Sequence, residues 1–109
     1  MAWLVRDGEV VAPLEVAATV GARSRGLLGR EGIEGALLLR PAMSVHTLGM
    51  RFPIDVAFCD GDLVVIATTR MPRWRLGAPR LRARAIVEAE AGAFDRWHLR
   101  PGDALEVRP

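Results

Sequence analysis

Hydrophobic and polar positions alternate with period two in several short runs along the chain. Over residues 54–59, Ile54, Val56 and Phe58 alternate with Asp55, Ala57 and Cys59, the pattern of a half-buried strand. Pro53 lacks an N–H and marks its start. Asp60-Gly61 follows, a pair that tolerates the positive φ of a two-residue primed turn. The next run, 63–69, is apolar and β-branched. With that turn, Phe58 faces Leu63, Val56 faces Val65 and Ile54 faces Ala67. This register buries one face and sends Asp55 to the other.

The remaining pattern extends the same architecture. Leu4-Val5 and Val10-Val11 flank Asp7-Gly8 and predict a hairpin over 2–6 and 9–12. Residues 14–18 alternate after Pro13 and continue the sheet. Thr19 caps a short helix over 20–29, held by Leu27 and Leu28. Gly21, Gly26 and Gly29 each weaken that helix by about 0.5–1 kcal/mol. Residues 35–39 read as a strand buried on both faces, 45–48 as a further short strand, and 85–89 and 104–107 as strands. Residues 92–99 make one helical turn packing Phe94 and Trp97. The fold expected is mainly β, a small antiparallel β-barrel or sandwich of about seven to nine short strands, with one short helix near 20–29, in preference to a βαβ fold. Length predicts a single domain over 1–109.

Composition narrows the setting. Half of the residues are hydrophobic, enough for one core. No apolar run approaches the ~20 residues of a membrane span, and the first seven residues lack the pattern of a secretory signal. The single cysteine, Cys59, excludes an internal disulfide framework and fits a reducing compartment, so a cytoplasmic location is expected. All 15 basic residues are arginine, with no lysine, asparagine, glutamine or tyrosine beside 16 alanines and 11 glycines. That looks like the codon bias of a GC-rich genome, so arginine content alone is a weak pointer to nucleic acid.

The motifs Arg23-Ser24-Arg25-Gly26-Leu27-Leu28-Gly29-Arg30, Gly35-Ala36-Leu37-Leu38-Leu39, Pro53-Ile54-Asp55-Val56-Ala57-Phe58, Val87-Glu88 with Gly92, and Gly102-Asp103 occur in this order. The order resembles the domain-of-unknown-function 192 family, small bacterial and archaeal proteins, over about residues 12–108. The resemblance implies a compact, mainly antiparallel β fold with a small helix and no established activity. Many members carry a W-M-x-N-T segment before the Pro-x-Asp strand. Here the stretch reads His46-Thr47-Leu48-Gly49-Met50, so no role of that Trp or Asn carries over. Arg25, Gly26, Arg30 and Asp55 align as family-typical positions without assigned roles.

Candidate chemistry centres on His46, Thr47 and Asp55. A histidine oriented by a carboxylate can act as a general base, which makes His46 and Asp55 the weak catalytic candidates of a hydrolase or isomerase. The plainer reading is an ion pair of Asp55 with Arg25 or Arg30 that locks the helix onto the sheet. No complete catalytic or metal-binding signature is present. No metal or other cofactor is expected, and Cys59 reads as an ordinary strand cysteine. The leading expectation is a non-catalytic binding module holding an anionic small molecule or peptide among Arg25, Arg30, His46, Thr47, Met50 and Asp55. A further candidate is the loop 70–84, with six arginines and no acid against nine arginines and 13 acids elsewhere. Arg73, Trp74, Arg75, Arg80, Arg82 and Arg84 form an expected interaction surface for an acidic protein or a nucleic acid, with Trp74 placed to stack on a base or enter a lipid interface. Its plainer alternative is a solvated loop with Trp74 folded back on the barrel.

Overall fold

The structure, a computed structural model, describes residues 2–109; Met1 lies outside them. Seven strands and two short helices follow in the order β1 (Ala2–Arg6), β2 (Glu9–Ala17), α1 (Val20–Arg25), β3 (Ala36–Leu39), β4 (Ile54–Cys59), β5 (Val65–Met71), β6 (Ala85–Glu90), α2 (Ala93–Trp97) and β7 (Leu105–Arg108). They form one sheet in the order β5-β4-β6-β3-β2-β1-β7. The fold is mainly β, as the alternation predicts, and the sheet curls into a half-barrel. Its edge strands approach at one end, where Val65 N–H donates to Asp103 O at 2.8 Å and Leu105 N–H to Leu63 O at 3.0 Å. No helix among the described residues is long and apolar enough to cross a membrane.

Several expectations need correction. The sheet is mixed rather than antiparallel, because β2 and β3 pair in parallel from Leu14↔Ala36 to Ala17↔Leu39. The connection 18–35 carries α1 and is long enough for the crossover that parallel strands require. The helix of 20–29 stops at Arg25, because Gly26 takes φ 51° and ψ −126°. A second helix, α2, occupies the predicted helical turn. Residues 45–48 form no strand and contribute only an isolated His46↔Leu76 bridge.

The central hairpin also differs in register. Phe58 pairs with Ala67, Val56 with Thr69 and Ile54 with Met71. The turn is longer than Asp60-Gly61 because Asp60 Oδ1 accepts from Asp62 N–H at 2.9 Å and Val64 N–H at 3.0 Å. This side-chain clamp puts Leu63 at φ 62° and shifts the pairing by four residues. An even shift leaves every side chain on its predicted face. By contrast, the turn Asp7-Gly8 adopts positive φ at both residues and joins Arg6 to Glu9, as expected.

β4 is buried on both faces, not one. Its Ala57 and Cys59 join a cluster fed by all seven strands, with Leu4, Leu14, Leu38, Val65, Val87 and Leu105, closed by Phe94 of α2. Its Ile54, Val56 and Phe58 join a second cluster on the other face, with Leu37, Leu39, Met71 and Ile86. Leu27 and Met50 cover this second face. Both bring long connecting segments over the sheet, and a pocket lies between those segments.

Candidate functional site

The pocket is built by three parts of the chain. α1 starts where Thr19 Oγ1 accepts from Ala22 N–H at 3.1 Å, a side-chain N-cap. None of its residues is buried, and the fully covered Leu27 anchors it just beyond its end. Its last turn presents Arg23 and Arg25. The segment 44–50 forms the facing wall through Ser44, Val45, His46 and Met50. The floor comes from β6, where Glu88 lies between Leu37 of β3 and Val56 of β4. The pocket has a volume of about 280 Å³ and is open to solvent.

Glu88 is only 2% exposed, and its Oε1 has no hydrogen-bond partner among the described residues. Burial pushes its carboxyl up to about 7. Gly26 permits the close approach over it, since a Cβ there would lie 3.3 Å from Oε1 at a φ that disfavours L side chains. The floor therefore offers one unsatisfied acceptor in apolar surroundings, and the rim offers guanidinium and imidazole groups. Arg25 makes no ion pair among the described residues. His46 Nδ1 accepts from Leu48 N–H at 3.2 Å, which leaves Nε2 as its free nitrogen.

Of the residues named from the sequence, Arg25, His46 and Met50 come together in this pocket. Arg30 does not line it; its guanidinium binds both oxygens of Glu15, at 2.9 and 2.8 Å. Thr47 is fully buried behind the wall, where Oγ1 donates to Pro72 O at 2.6 Å and accepts from Arg75 N–H at 2.8 Å. Asp55 sits on the opposite face of β4. Its Oδ1 accepts from Arg70 Nε at 3.0 Å, and its Oδ2 from the N–H of Gly92 at 2.9 Å and of Phe94 at 3.1 Å. Neither the expected Asp55 pairing with Arg25 or Arg30 nor a His46–Asp55 pair forms. The carboxylate holds the start of α2 instead of locking α1.

Glu88 escapes the sequence reading because a lone acid in Ile86-Val87-Glu88-Ala89 reads as a solvent-facing position. The available signal is parity, since Glu88 shares its face with the core residue Ile86. Cys59 is fully buried, and burial foremost, then the charge of Asp60, pushes its thiol up to about 12, so no reactive thiolate is on hand. His98 ends α2 at φ 53°. Among the described residues no group of three or more His, Cys, Asp or Glu could hold a metal ion.

The arginine-rich loop packs against the other edge of the 44–50 segment. Trp74 N–H donates to Thr47 O at 2.9 Å, Thr47 N–H to Arg75 O at 2.8 Å and Gly77 N–H to Val45 O at 2.9 Å. Trp74 stays 61% exposed rather than folding back. Arg80 lies over the Phe58 ring, 4.9 Å from its centroid.

Comparison with known proteins places this arrangement. The model of the DUF192 family, described as "Uncharacterized ACR", matches residues 2–107. A UPF0127 protein of Pyrococcus furiosus is 38% identical over 63 residues, covering 58% of this chain and 54% of its own length. One from Thermococcus kodakarensis is 28% identical over 102 residues, covering 88% of this chain and 65% of its own length. The chain thus spans about half to two thirds of the length of these curated relatives. Among solved structures, a protein of unknown function from Novosphingobium aromaticivorans superposes with a TM-score of 0.79 at 22% identity, over 96% of this chain and 82% of that one. A candidate transcription regulator from Sinorhizobium meliloti gives 0.81 at 20% identity, over 97% and 91%. At such identities the likeness is one of fold.

Proposed function

The chain belongs to the DUF192 family, and we propose that its half-barrel is a non-catalytic binding module for a small anionic molecule or the acidic end of a peptide. The ligand site is the pocket between α1, the 44–50 segment and β6. The observation that carries this reading is the buried, unpartnered Glu88 oxygen beneath a rim of Arg23, Arg25 and His46. A buried acceptor without a donor is unfavourable by about 1–3 kcal/mol, and a ligand hydroxyl or amine would relieve that. An acid group on the same ligand would meet Arg25 in a charge-assisted bond. The ligand is then a small molecule with an acid at one end and a donor at the other. Met50 and Leu27 supply the apolar wall between them. Arg30, Thr47 and Asp55 support the walls and the sheet rather than touching the ligand.

Calorimetric titration with glycerate and serine, against propionate as the donor-free control, tests this. Glycerate or serine should bind more tightly than propionate. Arg25→Ala should abolish binding, and Glu88→Leu should remove the preference over propionate. If neither glycerate nor serine binds, or if both variants bind like the parent, the reading fails.

A further inference from the structure

The segments 42–48 and 73–84 run side by side as a ribbon on the outside of the sheet. Their backbones are joined by the Thr47–Trp74, Thr47–Arg75 and Val45–Gly77 bonds, by the His46↔Leu76 bridge and by Arg80 N–H donating to Met43 O at 2.9 Å. At the end where Thr47 meets it, Trp74 adopts φ 61°. A bulky aromatic residue in the left-handed region is a real outlier, and it persists only where its surroundings fix it. The fixing groups here are the fully buried Thr47, its hydroxyl and both of its backbone groups. The outcome of this strained geometry is an indole ring held out toward solvent. Leu76 and Leu81 belong to the same ribbon and are 76% and 80% exposed.

Charge follows the same surface. Residues 42–48 and 73–84 contain five arginines and no acidic residue. Arg73, Arg75, Arg80, Arg82 and Arg84 form no ion pair among the described residues. Arg75 and Arg84 reach only backbone carbonyls of the ribbon itself. A partner must therefore accept a rigid indole and two leucines while neutralising several guanidinium groups. A nucleic acid would answer the arginines and the indole but offers nothing to Leu76 and Leu81. An anionic bilayer surface answers all of them, with the indole and leucines in the headgroup–acyl boundary and the arginines on lipid phosphates.

We propose that this ribbon is a docking surface for anionic membrane lipid, with Trp74, Leu76 and Leu81 as the inserting residues and Arg73, Arg75 and Arg82 as the phosphate contacts. The docking is peripheral, through the outer ribbon.

Co-sedimentation with vesicles tests it. The protein should sediment with equimolar phosphatidylcholine–phosphatidylglycerol vesicles and not with pure phosphatidylcholine, and binding should fall steeply with added salt. Arg73→Ala/Arg75→Ala should weaken it by about tenfold or more. The decisive variant is Trp74→Gly, since glycine accepts the positive φ without strain. It should melt at or above the parent's temperature yet lose vesicle binding. Absence of sedimentation, equal binding to uncharged vesicles, or displacement from vesicles by a single-stranded oligonucleotide would overturn the proposal. So would a Trp74→Gly variant that binds like the parent.

Discussion

Glu88 holds its proton more tightly in the folded chain than in the unfolded one, because burial raises its pKa from 4.5 to about 7. Between those values the folded state binds more protons, so stability falls as pH rises through this window. The loss is complete above pH 7 and amounts to on the order of 3 kcal/mol. Glu88→Gln removes the titrating group while keeping its shape. Denaturant unfolding of both proteins from about pH 4 to about pH 8 should show the parent losing ground to the variant across the window, then a constant gap. A gap independent of pH would mean that Glu88 is not desolvated as its position indicates. Glu88 stands among the family motifs, but its place in a pocket was hidden in the sequence for a physical reason. Gly26, which lies over its carboxylate, and Leu27 and Met50, which line the same pocket, are remote in sequence and arrive only through folding. Asp55 was legible as a carboxylate needing a partner, but the partner's identity depended on a register set by the side chain of Asp60.

At the scale of elements, α2 is a five-residue helix that local interactions alone would not hold. Asp55 fixes it by accepting from the N–H groups of Gly92 and Phe94, and Arg70 fixes Asp55 from the neighbouring strand. Asp55→Ala leaves both N–H groups without an acceptor and should destabilise the protein by about 2–4 kcal/mol. Arg70→Ala should cost clearly less, since Arg70 is half-exposed and its removal leaves the two backbone bonds intact. Thermal or urea unfolding of the two variants checks the order, and equal losses would place the weight on the ion pair instead. The strands themselves were legible because period-two alternation and turn residues are local signals. The pairing of β2 with β3 was not, because hydrophobic runs do not state direction, and the parallel choice follows from the crossover through α1.

For the whole molecule, the two hydrophobic clusters share strands β3, β4 and β6 back to back. Neither can be exposed without losing the sheet that the other packs on. The chain is also compact, with a radius of gyration of 12.4 Å against about 13 Å expected for its length. Unfolding should therefore be a single cooperative transition, although the 42–48 and 73–84 ribbon lies outside the sheet. Trp74 reports on that ribbon once Trp3 and Trp97 are replaced by phenylalanine, and far-ultraviolet circular dichroism reports on the sheet. The two signals should share one midpoint, because the ribbon rests on Phe58 and Met71, which belong to the sheet's own strands. If the Trp74 signal melts first, the ribbon is a separately stable layer. Its left-handed Trp74 would then be held by Thr47 alone and not by the half-barrel beneath it.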